Sequence, residues 1–170
     1  MDIPLSIYSE LLKASEFKKW KKGHNNSFLS HFFCCVNSKG ELTSSWEIGF
    51  IIPDKERITI FVKEGNDFAI KMEDGIFKEP GSKLEELNLK TVKLSYSDAY
   101  EIAKREMPSL FPKEIFNDGF VILQSLNQSI IWNFSFVTQS LKFLNLKISA
   151  DSGKVENYQA VNVIEKQTSS

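Results

Sequence analysis

The chain has 170 residues and a mass of 19.5 kDa, with 42% hydrophobic and 25% charged residues, which excludes a disordered chain, a collagen-like repeat and a simple coiled coil. Lysine and arginine number 21 against 22 acidic residues, a net charge of −1, so bulk electrostatics gives no argument for nucleic acid as a partner. No apolar run approaches the roughly 18 residues that a membrane-spanning helix needs; the most apolar stretch, 28–36, is interrupted by Ser30 and His31.

The N-terminal Met1-Asp2-Ile3-Pro4 has neither a positively charged n-region nor an apolar h-region. The chain as given is therefore expected in the cytoplasm, or outside it if a leader has been removed. Ser6 can cap a first helix carrying Ile7, Leu11, Ala14 and Phe17, with Lys18, Lys19, Lys21 and Lys22 in the last turns, where positive charge suits the helix dipole. Strand patterns follow at 28–37, at 46–51, from Ile58 to Val62 across the turn Pro53-Asp54-Lys55-Glu56, and at 68–72 after Gly65-Asn66. Residues 76–91 read as a linker containing Glu79-Pro80-Gly81-Ser82, with a helical turn at 84–87. Ser95 and Asp98 form a capping-box pattern ahead of the stripe Ala99, Ile102, Ala103 and Met107, and Pro108 marks the expected end of that helix. Four more strand patterns, at 120–126, 132–137, 144–148 and 155–163, complete the chain.

Trp46 and Trp132, 86 positions apart, introduce two segments that read alike. Trp46, Ile48, Phe50, Ile51, Ile58, Ile60 and Val62 match Trp132, Phe134, Phe136, Val137, Leu144, Leu146 and Ile148 without a gap. An ancient duplication explains the match. The expected architecture is α+β: two tandem units, each a helix packed on a four-stranded antiparallel meander, at 1–75 and 92–165.

The second half resembles the PepSY domain, which has a cystatin-like fold. The likeness rests on Leu94-Ser95, Asp98-Ala99 and Ile102-Ala103 at the helix, Asp118-Gly119-Phe120, Trp132-Asn133-Phe134, and the hairpin Ile148-Ser149-Ala150-Asp151-Ser152-Gly153-Lys154-Val155. Ser149 stands where the family has Asp. The resemblance spans about residues 92–162 and implies a non-catalytic module that binds or inhibits a protein partner, often a peptidase; the first half joins it only through the internal repeat.

Candidate chemistry is sparse. His31, Phe33 and Cys35 share one strand face, so His31 with Cys35 has the residue types of a metal-ligand pair or of a nucleophile with its base. A zinc site needs about four ligands and no second cluster is visible, so a core cysteine beside an edge histidine is the expectation. The adjacent Cys34 and Cys35 point to opposite faces and form no ordinary bridge. Lys18-Lys19-Trp20-Lys21-Lys22 could touch phosphate groups or an anionic membrane, although a solvated helix end accounts for it. Glu101, Glu106, Glu114 and Asp118 are candidates for paired carboxylates, with ion pairing of Glu101 to Lys104 or Arg105 the stronger expectation. No nucleophile elbow, Walker loop, zincin or dinucleotide motif occurs, so no enzymatic activity and no cofactor are expected.

Trp46, Trp132 and Trp20 are the candidate partner or groove residues, with burial beneath each helix as the alternative. The leading functional expectation is a binding or regulatory module for a protein or peptide. The competing one is a small-ligand carrier or enzyme with a pocket between helix and curved sheet; a homodimer through a sheet edge is a third.

Overall fold

The computed structural model describes residues 4–75 and 83–163. Helices α1 (Leu5–Lys13) and α2 (Ser15–Lys22) precede strands β1 (Phe28–Val36), β2 (Glu47–Ile52), β3 (Arg57–Glu64) and β4 (Asp67–Gly75). Helix α3 (Tyr96–Leu110) precedes β5 (Phe116–Leu126), β6 (Ser129–Thr138), β7 (Lys142–Ser149) and β8 (Val155–Asn162). The fold is α+β. All eight strands form one antiparallel sheet in the order β4-β3-β2-β1-β5-β6-β7-β8, so the first strand of each set of four pairs with the other at the centre. That central ladder runs from His31 opposite Gln124 to Val36 opposite Gly119.

Period-2 alternation sorts the side chains. Phe32, Cys34 and Val36 of β1 point to one face with Ile48, Phe50, Phe61, Val121, Leu123, Trp132, Phe134 and Leu146, all of them buried. Leu11, Phe17 and Trp20 from α1 and α2, and Ala99, Ala103 and Met107 from α3, close over that face. Small alanines on α3 let its backbone approach the bulky Trp132 and Phe134, which is why the stripe alternates small and large residues. The capping box is formed: the Asp98 amide donates to Ser95 Oγ at 3.1 Å, and the Ser95 amide donates back to the Asp98 carboxylate at 3.4 Å.

Four expectations are corrected. The first helix is two helices, broken at Ala14, whose extended backbone (φ −67°, ψ 136°) redirects the chain so that Leu11 on one segment and Phe17 and Trp20 on the other are all buried. Ser6 lies inside α1, and the position before it in the capping role is Pro4, which offers no side-chain acceptor. Pro108 does not end α3, which continues to Leu110; an interior proline leaves the carbonyl four residues back without its helical donor, here that of the exposed Lys104. The helical turn expected at 84–87 is absent, and a short 3₁₀ turn forms instead at Leu89–Thr91, with Asn88 accepting from the Lys90 amide at 3.1 Å. Glu79, Pro80, Gly81 and Ser82 of the expected linker lie outside the described residues.

The match between the two hairpins also slips by one residue. Ile48 pairs with Phe61, whereas its counterpart Phe134 pairs with Leu146, and Leu146 had been matched to Ile60. The β2–β3 turn, with its 3₁₀ segment Pro53–Lys55 and the left-handed Glu56 (φ 47°), holds one residue more than the β6–β7 turn. One residue inverts every facing in a strand, so Ile60 points away from the helices and Leu146 toward them.

Gly119, at the end of the central ladder, is a packing requirement: a Cβ there would sit 1.9 Å from the Ser135 carbonyl oxygen. Gly119→Ala is expected to destabilise the fold by about 2 kcal/mol or more in urea unfolding, the upper range for overpacking, because the obstacle is backbone and cannot rotate away.

Candidate functional site

Helices occupy one face of the sheet; among the described residues none covers the other. That open face is built from the residues alternating with the core. On β1 they are His31, Phe33 and Cys35, sharing a face as their spacing requires. Phe33 of β1 and Phe120 of β5 lie with ring centroids 5.5 Å apart, and Phe120 and Phe143 of β7 at 6.2 Å, giving a half-buried aromatic row that crosses the central ladder. Beneath the row Ser135 is buried, and Asn145 Nδ2 donates to Ser135 Oγ at 2.9 Å and to Asn133 Oδ1 at 2.5 Å. These amides satisfy one another, as buried polar groups must. Toward β3 the face turns apolar through Ile51 and Ile60, both buried.

His31 lies on a central strand, not at an edge. Its ring rests on Gly49, where a Cβ would come within 2.2 Å of the imidazole, and Nδ1 is 3.2 Å from Ser30 Oγ. Burial lowers its pKa below the usual 6.5, and Glu47 nearby opposes the shift without reversing it. Glu47 pairs with Lys71 of β4. Cys34 is the core cysteine: its thiol donates to the Ser44 carbonyl at 3.2 Å, and burial raises its pKa. Cys35 is half-buried on the open face. Among the described residues no three His, Cys, Asp or Glu side chains are placed to hold a metal ion.

The tryptophans are core residues. Trp46 and Trp132 meet edge-to-face with centroids 6.2 Å apart, and Tyr96 at the start of α3 stands 6.1 Å from each. The Tyr96 hydroxyl donates to the Gly40 carbonyl at 2.8 Å, tying α3 to the β1–β2 loop, and burial raises its pKa. Trp20 is elsewhere, stacked on His24 at 4.6 Å and packed edge-on against Phe50 and Phe61. Trp132 Nε1 donates to the Leu94 carbonyl at 3.0 Å, whereas Trp46 Nε1 and Trp20 Nε1 are buried without a partner among the described residues. All three are buried, with Trp132 0%, Trp46 5% and Trp20 7% exposed among the described residues.

The acidic candidates are dispersed. Arg105 pairs with Glu106 at 3.1 Å, in place of the expected pairing with Glu101. Glu114 accepts from Lys142 and Ser140, each at 2.6 Å, and these contacts hold its pKa below the carboxylate range. Two adjoining clefts of about 770 and 450 Å³ flank residues 86–90 and share Glu86, Asn88 and Lys90. The larger has a nearly all-polar lining, including Ser125, Gln128 and Asp151, with Ile130 the apolar exception. Neither these clefts nor the Asn133–Ser135–Asn145 cluster was foreseen. The cluster had a readable signal, since those polar residues alternate with Trp132, Phe134, Leu144 and Leu146.

Two measurements check this geometry. A histidine buried neutral has its folded-state pKa below the unfolded value, so the unfolded chain binds the extra proton; stability is fully present above pH 6.5 and falls as pH drops through 6.5 toward the folded-state pKa. His31→Gln is expected to flatten that part of the pH–stability curve. Trp132→Phe is expected to cost about 1 kcal/mol more than Trp46→Phe in urea unfolding, because it alone removes a bonded N–H, from the carbonyl of the half-buried Leu94.

No family model matches the chain, and no curated protein matches it. Among solved structures it is similar to a crystal structure described as a putative lipoprotein from Clostridium difficile 630. The identity is 10%, the TM-score is 0.51, and the match covers 86% of this chain and 90% of the other. The two share a fold, an α+β arrangement containing one eight-stranded sheet in the present chain.

Proposed function

We propose that the chain is a non-enzymatic binding module made of two tandem cystatin-like units, residues 1–75 and 92–165, that engages a protein or peptide partner through the open face of the sheet. The observation that carries the reading is the row Phe33, Phe120 and Phe143, half-buried on a face that no described helix covers. Aromatic side chains that hold position through mutual packing lose little entropy on binding and anchor interfaces well. The space between helices and sheet is filled by Trp46, Trp132, Tyr96 and Phe134, which favours a partner-binding surface over a ligand pocket there. The PepSY likeness of residues 92–162 supports a peptidase-associated, inhibitory role. A small-ligand carrier could use the 770 Å³ cleft, but of its lining residues Ile130 alone has an apolar side chain, and no aromatic side chain is among them.

Affinity capture from the native host, run in parallel with the chain and with Phe33→Ser/Phe120→Ser, tests the reading. A protein bound stoichiometrically by the first and at least about 30-fold more weakly by the second, with both folded, is the expected result. Equal capture by the variant, or a stoichiometric small molecule and no protein, overturns it.

A further inference from the structure

The cationic run noted in the sequence is split by the helix into two sets with different fates. Phe17, Trp20 and Lys21 turn inward on α2, and Lys21 Nζ donates to both the carbonyl and the hydroxyl of Ser27 at 2.7 Å. Ser15, Lys18, Lys19 and Lys22 follow the i, i+3, i+4, i+7 spacing of a single stripe, and all are exposed. The Lys18, Lys19 and Lys22 side chains make no ion pair or hydrogen bond among the described residues, and neither does that of the exposed Lys13 at the end of α1. The acidic groups around α2 stand off this stripe. Glu10 is taken by Lys63, Glu86 acts on the inward Lys21, Asp54 accepts from Asn26 Nδ2 past the helix end, and Glu16 and Asp67, which accepts from Ser15, stand toward the start of α2. The outward stripe itself carries no acidic side chain. Residues 5–22 hold five lysines and two glutamates, net +3, in a chain whose total is −1.

The neighbouring helix α1 adds exposed apolar side chains. Ile7, Tyr8, Leu11 and Ala14 face the core, leaving Leu5 and Leu12, two turns apart, 37% and 44% exposed. Exposed leucines beside unpaired lysines are the composition of an interfacial surface: cations meet anionic headgroups while apolar side chains enter the acyl boundary. Nucleic acid fits less well, since the only aromatic side chain of the lysine run, Trp20, is buried and offers no base a stacking platform.

We infer that the outer surface of α1 and α2 docks on an anionic lipid bilayer through Lys13, Lys18, Lys19, Lys22, Leu5 and Leu12. This leaves the open sheet face, on the opposite side, directed away from the lipid. It goes beyond the partner-binding reading and does not depend on it.

Co-sedimentation of the full chain with vesicles tests the inference. Binding to vesicles of about 30% phosphatidylglycerol in phosphatidylcholine at about 100 mM salt is expected, with little binding to phosphatidylcholine alone. Each lysine near such a surface contributes about fivefold, so Lys18→Glu/Lys19→Glu/Lys22→Glu should lower partitioning by about 100-fold or more. The variant Lys39→Glu/Lys104→Glu/Lys154→Glu, of equal net charge and altered at exposed sites elsewhere, should retain it. Leu12→Ser should weaken binding several-fold, an effect of about that size persisting as salt is raised. Thermal midpoints confirm that the variants fold. Undiminished binding by the first triple variant, equal binding to uncharged vesicles, or no effect of Leu12→Ser each overturns the assignment. So does soluble tripolyphosphate binding as tightly per charge as the vesicles, which would mark a site for free phosphate. Phe120→Ser should leave vesicle binding unchanged, so failure here leaves the partner reading standing, and the reverse.

Discussion

The fold depends on the antiparallel pairing of β1 with β5. Each set of four strands taken alone would end in an exposed edge, an unpaired row of N–H and C=O groups. Pairing these two strands from His31–Gln124 to Val36–Gly119 removes both edges at once. Beneath the ladder, on the helix side, Trp46 from the first half meets Trp132 and Tyr96 from the second, and the Tyr96–Gly40 bond fastens the β1–β2 loop to α3. A further tie comes from the chain crossing between halves, where the Leu87 amide donates to the Leu29 carbonyl at 2.8 Å. Small units bury a low fraction of their surface, so a shared sheet and shared aromatic core stabilise both halves.

The same ladder creates the candidate functional surface. Phe33 belongs to β1 and Phe120 to β5, so the aromatic row exists only where the halves join. Trp46 and Trp132, singled out in the sequence, also lie at the junction, but on its covered side, where they build the core and leave the open face to other residues. The two faces thus divide the work: one holds the molecule together, and the other carries partly exposed rings over a satisfied polar layer of Ser135, Asn133 and Asn145.

Local signals were legible in the sequence and long-range ones were not. The Ser95–Asp98 box, the stripe through Met107 and the eight strands follow from capping chemistry and periodicity, which act over a few residues. The break at Ala14 carries no glycine or proline; tertiary packing of Phe17 and Trp20 decides it. Pro108 shows the converse, a strong breaker tolerated where the carbonyl it strands belongs to an exposed residue. The slip of Ile60 against Leu146 hangs on one extra residue in a turn, which a gap-free match of apolar positions cannot register. For the site, alternation placed His31, Phe33 and Cys35 on one face; which face the helices would cover depends on how β1 meets β5, a contact between residues some 90 positions apart.

Native-state hydrogen exchange tests most directly whether that ladder makes the two halves one cooperative unit. The account predicts that core amides of β1–β3 and of β5–β7 exchange with the same opening free energy, equal to that of global unfolding. Separate values for the two sets, with one half opening while the other stays protected, would contradict it.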